Sequence, residues 1–467
     1  MRIAVVGAGV GGLAAAIELA HGGHAVTVLE QADAPGGKCA RIARGGFRWD
    51  AGPSLLTLPQ VFRALFAATG PPLDDEVELL RVEPVTRYRF ADGTSVELSA
   101  DLPRALEALE AWSPGAGADW ARFLETCAAI WRAAEGVLVT SPWRPQDPRN
   151  ALRIRPWWTL RDLARARARD PRLRMVIERF ATYAGADPRR APAALAVAGY
   201  VEHAFGAWHP RGGLHELVAA MARRLEALGG ELRLHTRVER IVMRDGQVRG
   251  VDIAAAGALA ADAVVTDVDE GAVPWLLGKP GPAQAPPERS LSGLALMLGL
   301  RGRTPALAHH TIIFPADYDA EFDDVFAHRR PVRDPTVYVC APGVTDASGA
   351  PTGDEAWFVL VNAPAIGGGA DWAAAAAALA DRLGVRERVA ELVVRTPADL
   401  ERETGALGGA IYGAAPHGRL RGLLRPGRRV RGAHGLWLAG GTVHPGGGLP
   451  LVVLGGRAVA REIGSAA

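Results

Sequence analysis

The spacing of apolar and polar positions at the start of the chain predicts a strand, a tight turn and a helix in immediate succession. Residues 2–6 form a short, mostly apolar run typical of a buried strand, and residues 13–20 carry an apolar stripe at helical spacing. Between them, residues 7–12 read GAGVGG, which is the spacing G-x-G-x-x-G. A second apolar run over 25–29 predicts another strand, which ends on Glu30. This order is typical of a βαβ unit in a parallel sheet.

The glycines of this first loop each have a physical role in binding a nucleotide. Gly7 allows the tight turn, Gly9 lets the backbone approach a pyrophosphate, and Gly12 lets the helix pack closely on the strand. Gly11 lies in the same loop, beside free N–H groups at the helix N-terminus. The carboxylate of Glu30 is placed to accept hydrogen bonds from an adenosine ribose, and it would repel a 2′-phosphate. These features predict a nucleotide site, with a purely structural turn as the alternative.

Beyond residue 76 the pattern predicts a second set of elements that interrupts the first. Residues 85–90 and 95–98 flank an Asp-Gly turn typical of a hairpin, and helical patterns follow over 103–112 and 120–136. A strand pattern over 261–267 then predicts a further strand of the sheet that contains the first two strands. The elements of two domains therefore alternate along the chain.

We predict an α/β fold in which each domain is assembled from separated segments. The nucleotide-binding domain is Rossmann-like, a parallel sheet with flanking helices, and comprises residues 1–76, 206–277 and 405–467. The other is an α+β substrate domain with a mixed sheet, and it comprises residues 77–205 and 278–404. A chain of 467 residues is long for one hydrophobic core, which also favours two domains.

The end of the chain repeats the order strand, glycine loop, helix. Residues 435–439 predict a buried strand, Gly440 and Gly441 open a glycine-rich loop, and a last helix is predicted to begin near Pro450 and Leu451. The N-terminus of that helix can stabilise negative charge on a bound group. Both ends of the chain are therefore expected to complete the nucleotide-binding domain.

The composition of the chain excludes some classes of function. The net charge of +2 argues against a polyanion as the principal ligand, so no nucleic-acid partner is expected. The three cysteines are far apart in sequence and suit a reducing cytoplasm. No apolar run is convincing as a membrane span.

The Arg/Trp-rich segment, residues 143–174, is the most basic part of the chain. Ten arginines oppose three aspartates there, and tryptophans are interleaved with them. This combination is typical of helices that face a membrane surface, although a solvated helix face is the alternative in an arginine-biased chain. We expect this segment to touch the bilayer and to draw in an apolar substrate.

His309 and His310 lie near several carboxylates in sequence, which raises the possibility of a metal site. Adjacent residues of a strand point to opposite faces, so the two imidazoles are expected to diverge. The sequence therefore predicts no metal site.

Three stretches carry a resemblance to a known family. The run from Glu30 to Lys38 has the pattern E-x5-G-G-K, residues 210–213 read PRGG before a helix, and residues 439–450 read AGGTVHPGGGLP. The chain is similar from end to end to the bacterial carotenoid desaturases of the phytoene desaturase type. These belong to the flavoprotein superfamily of amine oxidases and carotenoid desaturases.

The resemblance implies FAD as the cofactor and assigns further site residues. Gly37 and Lys38 would wrap the pyrophosphate, Gly52 and Pro53 would pass near the isoalloxazine, and the backbone of Val238 would hold the adenine. Thr442 stands where many flavoproteins have an aspartate that binds the ribityl chain, so that contact is not expected.

The implied reaction removes a hydride and a proton from adjacent carbons of a long polyene. The variants in the last loop resemble hydroxycarotenoid 3,4-desaturases or oxidases of terminal carotenoid methyl groups. His444 is expected either to take the proton or to brace its loop. An amine oxidase-like flavoenzyme and a non-catalytic carotenoid-binding protein are the alternatives. Quinone or oxygen is expected as the electron acceptor, and the inner face of the cytoplasmic membrane as the location.

Overall fold

The computed structural model describes residues 1–139, 152–279, 288–418 and 424–466. Its strands, β1 to β19 in chain order, are Arg2–Val6, Ala25–Leu29, Arg41–Arg44, Phe47–Asp50, Leu79–Val82, Thr86–Arg89, Ser95–Leu98, Ala207–Pro210, Glu231–Arg233, Val238–Arg244, Gln247–Ile253, Gly257–Ala260, Ala263–Thr266, Ser292–Leu300, His310–Ile313, Val337–Cys340, Glu355–Ala363, Val389–Arg395 and Leu436–Leu438.

The α-helices of the described residues, α1 to α13, surround these strands. In chain order they are Val10–His21, Pro59–Thr69, Leu102–Trp112, Ala116–Val139, Leu160–Arg167, Pro171–Glu178, Val197–Phe205, His215–Ala227, Val273–Leu276, Tyr318–Phe322, Trp372–Leu383, Pro397–Thr404 and Leu449–Ile463.

The first sheet is fully parallel, as predicted. Its strand order is β19-β13-β1-β2-β9, so strands from both ends and from the middle of the chain lie side by side. Its central strands are almost wholly apolar and buried because helices cover the sheet. The predicted strand over 261–267 is confirmed as β13, which pairs with β1.

The first and last helices pack against each other across this domain. A Cβ added to Gly456 of α13 would lie 2.4 Å from the carbonyl oxygen of Gly11, so only glycine permits the crossing. Beyond α13, the backbone N–H of Ala466 donates to the carbonyl oxygen of Gly22. The two ends of the chain are therefore joined directly.

The second sheet is mixed and has seven strands in the order β18-β14-β17-β16-β15-β6-β7. Only the pair β15 and β6 is parallel. The predicted hairpin is confirmed as β6 and β7. Aromatic side chains of β6 and of the segment after β15, among them Tyr88 and Phe314, pack into an apolar core shared with helices α4 to α7.

Helix boundaries differ from the sequence-based prediction at α4, which spans Ala116–Val139 where the sequence pattern predicts 120–136, and slightly at the last helix. It begins at Leu449, so Pro450 lies in its first turn, where a missing N–H costs nothing. Across the described ranges, no helix combines the length and the apolar character needed to cross a membrane. Residues 143–151 of the Arg/Trp-rich segment lie outside the described residues.

Candidate functional site

A cavity of about 840 Å³ opens at the carboxyl ends of the parallel strands. Three of its lining residues directly follow strands, Gly7 after β1, Glu30 after β2 and Asp267 after β13, and Gly440 lies two residues after β19. Loops at the carboxyl edge of a parallel sheet form the usual ligand crevice of such folds. The volume falls within the range of roughly 300–1,000 Å³ that is common for small-molecule sites.

The glycine loop leaves space that any side chain would fill. Gly7 has φ of +96°, a value that favours glycine. A Cβ on Gly11 would lie 2.8 Å from the backbone nitrogen of Gly440, and one on Gly12 would lie 2.4 Å from the carbonyl oxygen of Gly7. The first and last glycine loops therefore approach each other backbone to backbone. This arrangement fits a pyrophosphate held by main-chain N–H groups.

The predicted wrap folds back onto this loop. The N–H of Gly36 donates to the carbonyl oxygen of Ala8 at 2.9 Å, and Gly37 lines the cavity with φ of +55°. The ammonium of Lys38 is buried in the cavity wall and donates to the carbonyl oxygen of Ile411 at 2.6 Å. Burial lowers the pKa of Lys38 to about 8. The lysine therefore brings a positive charge beside the glycine loop at neutral pH.

Glu30 is held by backbone donors on both of its oxygens. Oε2 accepts from the N–H of Ala8 at 2.8 Å, and Oε1 accepts from the N–H of Ala32 at 2.9 Å. Each carboxylate oxygen has a second acceptor site. The side chain lines the cavity, so these remaining sites are available to hydroxyl groups of a ligand.

Asp267 is a site residue that sequence reasoning did not select. Its Oδ2 accepts from the N–H of Gly12 at 3.0 Å, and a Cβ on Gly9 or Gly440 would collide with its carboxylate. Burial raises the pKa of Asp267 to about 7. A signal was present in the sequence, because this aspartate directly follows the strand that was expected to complete the sheet.

The opposite wall of the cavity belongs to the second sheet. Gly293 and Ala295 of β14, together with Phe358 and Leu360 of β17, line it. Arg395 of β18 also lines the cavity and donates to the carbonyl oxygen of Ala51 at 2.6 Å. Sequence reasoning missed this arginine, since no local motif surrounds it.

The segment after β4 runs between these two walls. Gly52 and Pro53 both line the cavity, and a Cβ on Gly52 would lie 2.0 Å from the carbonyl oxygen of Lys38. The segment can therefore pack against the wrap only with glycine at this position.

The remaining predicted residues divide into two groups. Val238 and Gly441 line the cavity. Outside the lining surface lie Gly12, Pro450, Leu451 and His444. His444 is buried, and its backbone N–H donates to the carbonyl oxygen of Pro426 at 2.9 Å. Its assignment as a catalytic residue stays a prediction.

A second group of polar side chains lies at the junction of β15 and β16. Contrary to expectation, the imidazoles of His309 and His310 meet, with ring centroids 4.4 Å apart. The strand-alternation argument is wrong here because β15 begins only at His310, and His309 precedes it. Cys340 and His209 lie close to the same rings.

The protonation state of these imidazoles follows from burial. Desolvation lowers the pKa of His310 to about 3 and holds the pKa of His309 well below its usual range. Each additional imidazole charge would also repel its neighbour. Both rings are therefore neutral at physiological pH.

Comparison with known proteins identifies the family. The family model of flavin-containing amine oxidoreductases matches residues 10–292. Over 99% of this chain and 97% of its own length, the hydroxyneurosporene desaturase of Cereibacter sphaeroides is 36% identical. The 4,4′-diapolycopene oxygenase of Methylomonas is 32% identical over 99% of this chain and 98% of its own length.

A solved structure confirms the fold independently. An oxidoreductase from Methanosarcina mazei superposes with a TM-score of 0.63 at 16% identity, covering 99% of this chain and all of its own. Together with the glycine-lined cavity, these matches confirm the family and the FAD cofactor expected from the sequence. The chain therefore belongs to the flavin-containing amine oxidoreductases, in the family of FAD-dependent carotenoid desaturases.

Proposed function

We propose that this protein desaturates a long polyene of the carotenoid type by removing a hydride and a proton from adjacent carbons. The observation that carries the proposal is the cavity between the parallel sheet and the mixed sheet, which joins a nucleotide cradle to an apolar wall. The full-length similarity to a hydroxyneurosporene desaturase supports the substrate class.

The residues of the cavity have separate tasks in this reaction. The two glycine loops and Lys38 would hold the pyrophosphate, and Glu30, which lines the same cavity, would accept hydrogen bonds from the ribose. When bound, FAD supplies the hydride acceptor. The apolar side chains of β14 and β17 exclude water on the opposite wall, which favours a hydrocarbon substrate there.

Expression in cells that accumulate neurosporene or its hydroxylated derivative tests the proposal. We expect a red-shifted pigment with a mass lower by two hydrogens per step, because each new double bond extends the conjugation. Unchanged pigments in both backgrounds, from a protein that carries FAD, would contradict it.

Oxidation of a terminal carotenoid methyl group is the second candidate. It is favoured by the full-length similarity to a 4,4′-diapolycopene oxygenase. The same pigments distinguish the two reactions, because this product gains oxygen in its mass. An amine oxidase-like activity would instead leave all carotenoids unchanged and reduce the flavin with amines.

We further propose that the helical part of the substrate domain faces a membrane and that the protein lies at the inner face of the cytoplasmic membrane. Several arginines of the Arg/Trp-rich segment are engaged within the protein: Arg161 with Glu178 and Asp319, Arg169 with Asp119, and Arg172 with Asp170 and Asp92. Because these arginines are paired within the protein, the support for membrane contact comes from exposed apolar side chains. The side chain of Leu152 is 62% exposed and that of Trp157 is 47% exposed.

Liposome flotation tests this membrane contact. We expect Leu152→Ser together with Trp157→Ser to weaken binding to anionic vesicles several-fold. Val344→Ser, at another exposed apolar position, is the matched control. Equal flotation of all three proteins would remove the proposal.

The electron acceptor and the domain boundaries are also proposals. We propose quinone or oxygen as acceptor, which anaerobic reoxidation of the reduced flavin with a soluble quinone would test. We keep the segments 1–76, 206–277 and 405–467 as the FAD domain, and 77–205 and 278–404 as the substrate domain. The strands of the parallel and the seven-stranded sheets fall on the corresponding sides of this division.

A further inference from the structure

The residues at the junction of β15 and β16 converge on one point. His310 of β15 lies directly opposite Cys340 of β16 in the antiparallel register, and His309 precedes His310. All three side chains are buried, and one nitrogen of each imidazole and the sulfur lie within 4.8 Å of one another. We propose that His309, His310 and Cys340 form a binding site for a zinc-type transition-metal ion.

The hydrogen bonds of the two imidazoles leave the same nitrogen available on each ring. Nδ1 of His309 lies 2.7 Å from Oγ1 of Thr345, and Nδ1 of His310 lies 2.8 Å from Oη of Tyr338. When Nδ1–H donates to these hydroxyls, Nε2 carries the free lone pair. Within the described part of the chain, Nε2 of both rings is buried without a hydrogen-bond partner.

This arrangement matches the way proteins prepare histidine ligands. A metal-binding imidazole typically donates its other N–H to a neighbouring oxygen, which fixes the tautomer and the ring orientation. Tyr338 is itself fixed, because its hydroxyl forms a 2.5 Å hydrogen bond with Ser54. A buried nitrogen without a partner costs free energy, and a bound cation would recover it.

The donor set selects the chemical class of the ion. Two neutral imidazoles and one thiolate suit Zn²⁺ and similar ions, at roughly 2.0–2.1 Å for nitrogen and 2.3 Å for sulfur. Binding requires the Cys340 thiol to release its proton to solvent as the metal–sulfur bond forms.

The surroundings of the proposed site carry negative charge and contain a small cavity. The carboxylates of Asp50 and Asp346 act electrostatically on His209, whose ring centroid is 4.9 Å from that of His309. A cavity of about 30 Å³ adjoins Cys340 and His209. This volume accommodates one water molecule beside Cys340, the residue that the small cavity and the proposed site share.

Cobalt substitution tests the site in the full-length, FAD-loaded protein. After chelator treatment, we expect one equivalent of Co²⁺ to bind and to produce thiolate-to-cobalt charge transfer in a difference spectrum against the metal-free protein. Cys340→Ser should abolish this band. Cys127→Ser, which alters a buried cysteine of the helical core, should retain it.

X-ray absorption of the zinc-loaded protein provides a test that needs no variant. We expect one sulfur and at least two imidazole nitrogens around zinc at the distances given above. Failure to retain either Zn²⁺ or Co²⁺ after gel filtration would overturn the proposal. So would a wild-type zinc spectrum without sulfur, or a cobalt band that survives in Cys340→Ser.

Discussion

The nucleotide cavity and the histidine–cysteine cluster, which comprises His309, His310 and Cys340, depend on side chains in opposite ways. The cavity requires that side chains be absent, and the cluster requires particular side chains. In the cavity, a single carbon added to Gly11, Gly12 or Gly440 would collide with neighbouring atoms, so the site depends on side chains that are absent. In the cluster, the site depends on His309, His310 and the residues that orient their rings. The difference teaches that a cradle made of backbone can be recognised from a local motif, whereas a cluster of side chains is visible only after folding.

Gly12→Ala should break the cavity most severely. Its Cβ would lie 2.4 Å from the carbonyl oxygen of Gly7, which directly follows β1 and cannot move without disturbing the glycine loop. We expect FAD retention to fall at least about 100-fold, alongside a destabilisation of about 1–3 kcal/mol from overpacking. Fluorescence titration with FAD measures this loss.

Gly368→Ala is the matched control for that substitution. Nothing lies within 4 Å of a Cβ at Gly368, so FAD retention should be unchanged. Equal FAD binding by both variants would mean that the glycine loop does not hold the cofactor.

Glu30→Gln should weaken FAD binding about tenfold. The amide replaces one carboxylate oxygen by a donor while the other oxygen can satisfy only one of the two N–H groups, so acceptor sites that would bind the ribose hydroxyls are lost. One mismatched hydrogen bond costs about 1–3 kcal/mol when it is buried. Isothermal titration checks the effect, and an affinity equal to that of the wild type would contradict the ribose assignment.

Asp267→Asn should change the pH dependence of FAD binding. The pKa of Asp267 is raised to about 7, so the wild-type carboxyl group ionises beside the pyrophosphate as the pH rises through 7. We expect equal affinities at pH 6, and a variant that binds about tenfold more tightly at pH 8. Affinities measured at pH 6, 7 and 8 decide this.

Asp267→Asn should also change how the free energy of unfolding depends on pH. A raised pKa means that the native state holds the proton more tightly than the unfolded state does. As the pH rises from about 4 to about 7, the unfolding free energy of the wild type should therefore fall relative to that of the variant. Parallel stability curves for the two proteins would show that Asp267 is not the titrating group.

Thr345→Val should have the smallest effect and should be confined to the cluster. It removes the hydroxyl that orients His309 and should cost about 1 kcal/mol of unfolding free energy. FAD binding should be unchanged, while metal retention should fall severalfold. A change in FAD affinity as large as that of Glu30→Gln would show that the two regions are coupled.

The parts that sequence predicted are those encoded by contiguous residues. The parallel sheet and the glycine loops follow from local spacing, and the wrap from Glu30 to Lys38 follows from the family resemblance of a contiguous motif. Most residues of the first glycine loop and of the wrap line one cavity. Sequence analysis did not identify Asp267 and Arg395 as site residues, because their role depends on strands that come together only in the folded protein. Sequence analysis also did not predict the contact between the imidazoles of His309 and His310, because the first residue of β15 depends on its pairing with β16.

The direct contact between the two chain ends has a consequence for the order of biosynthesis. Strand β19 and helix α13 are synthesised after the other described elements. Strand β19 pairs with β13, from the middle of the sequence, and α13 packs against α1, the first helix. The nascent chain therefore holds an incomplete cofactor site until both of these elements have been made. We expect FAD to be captured only after α13 has been made, by a chain whose substrate domain is already folded.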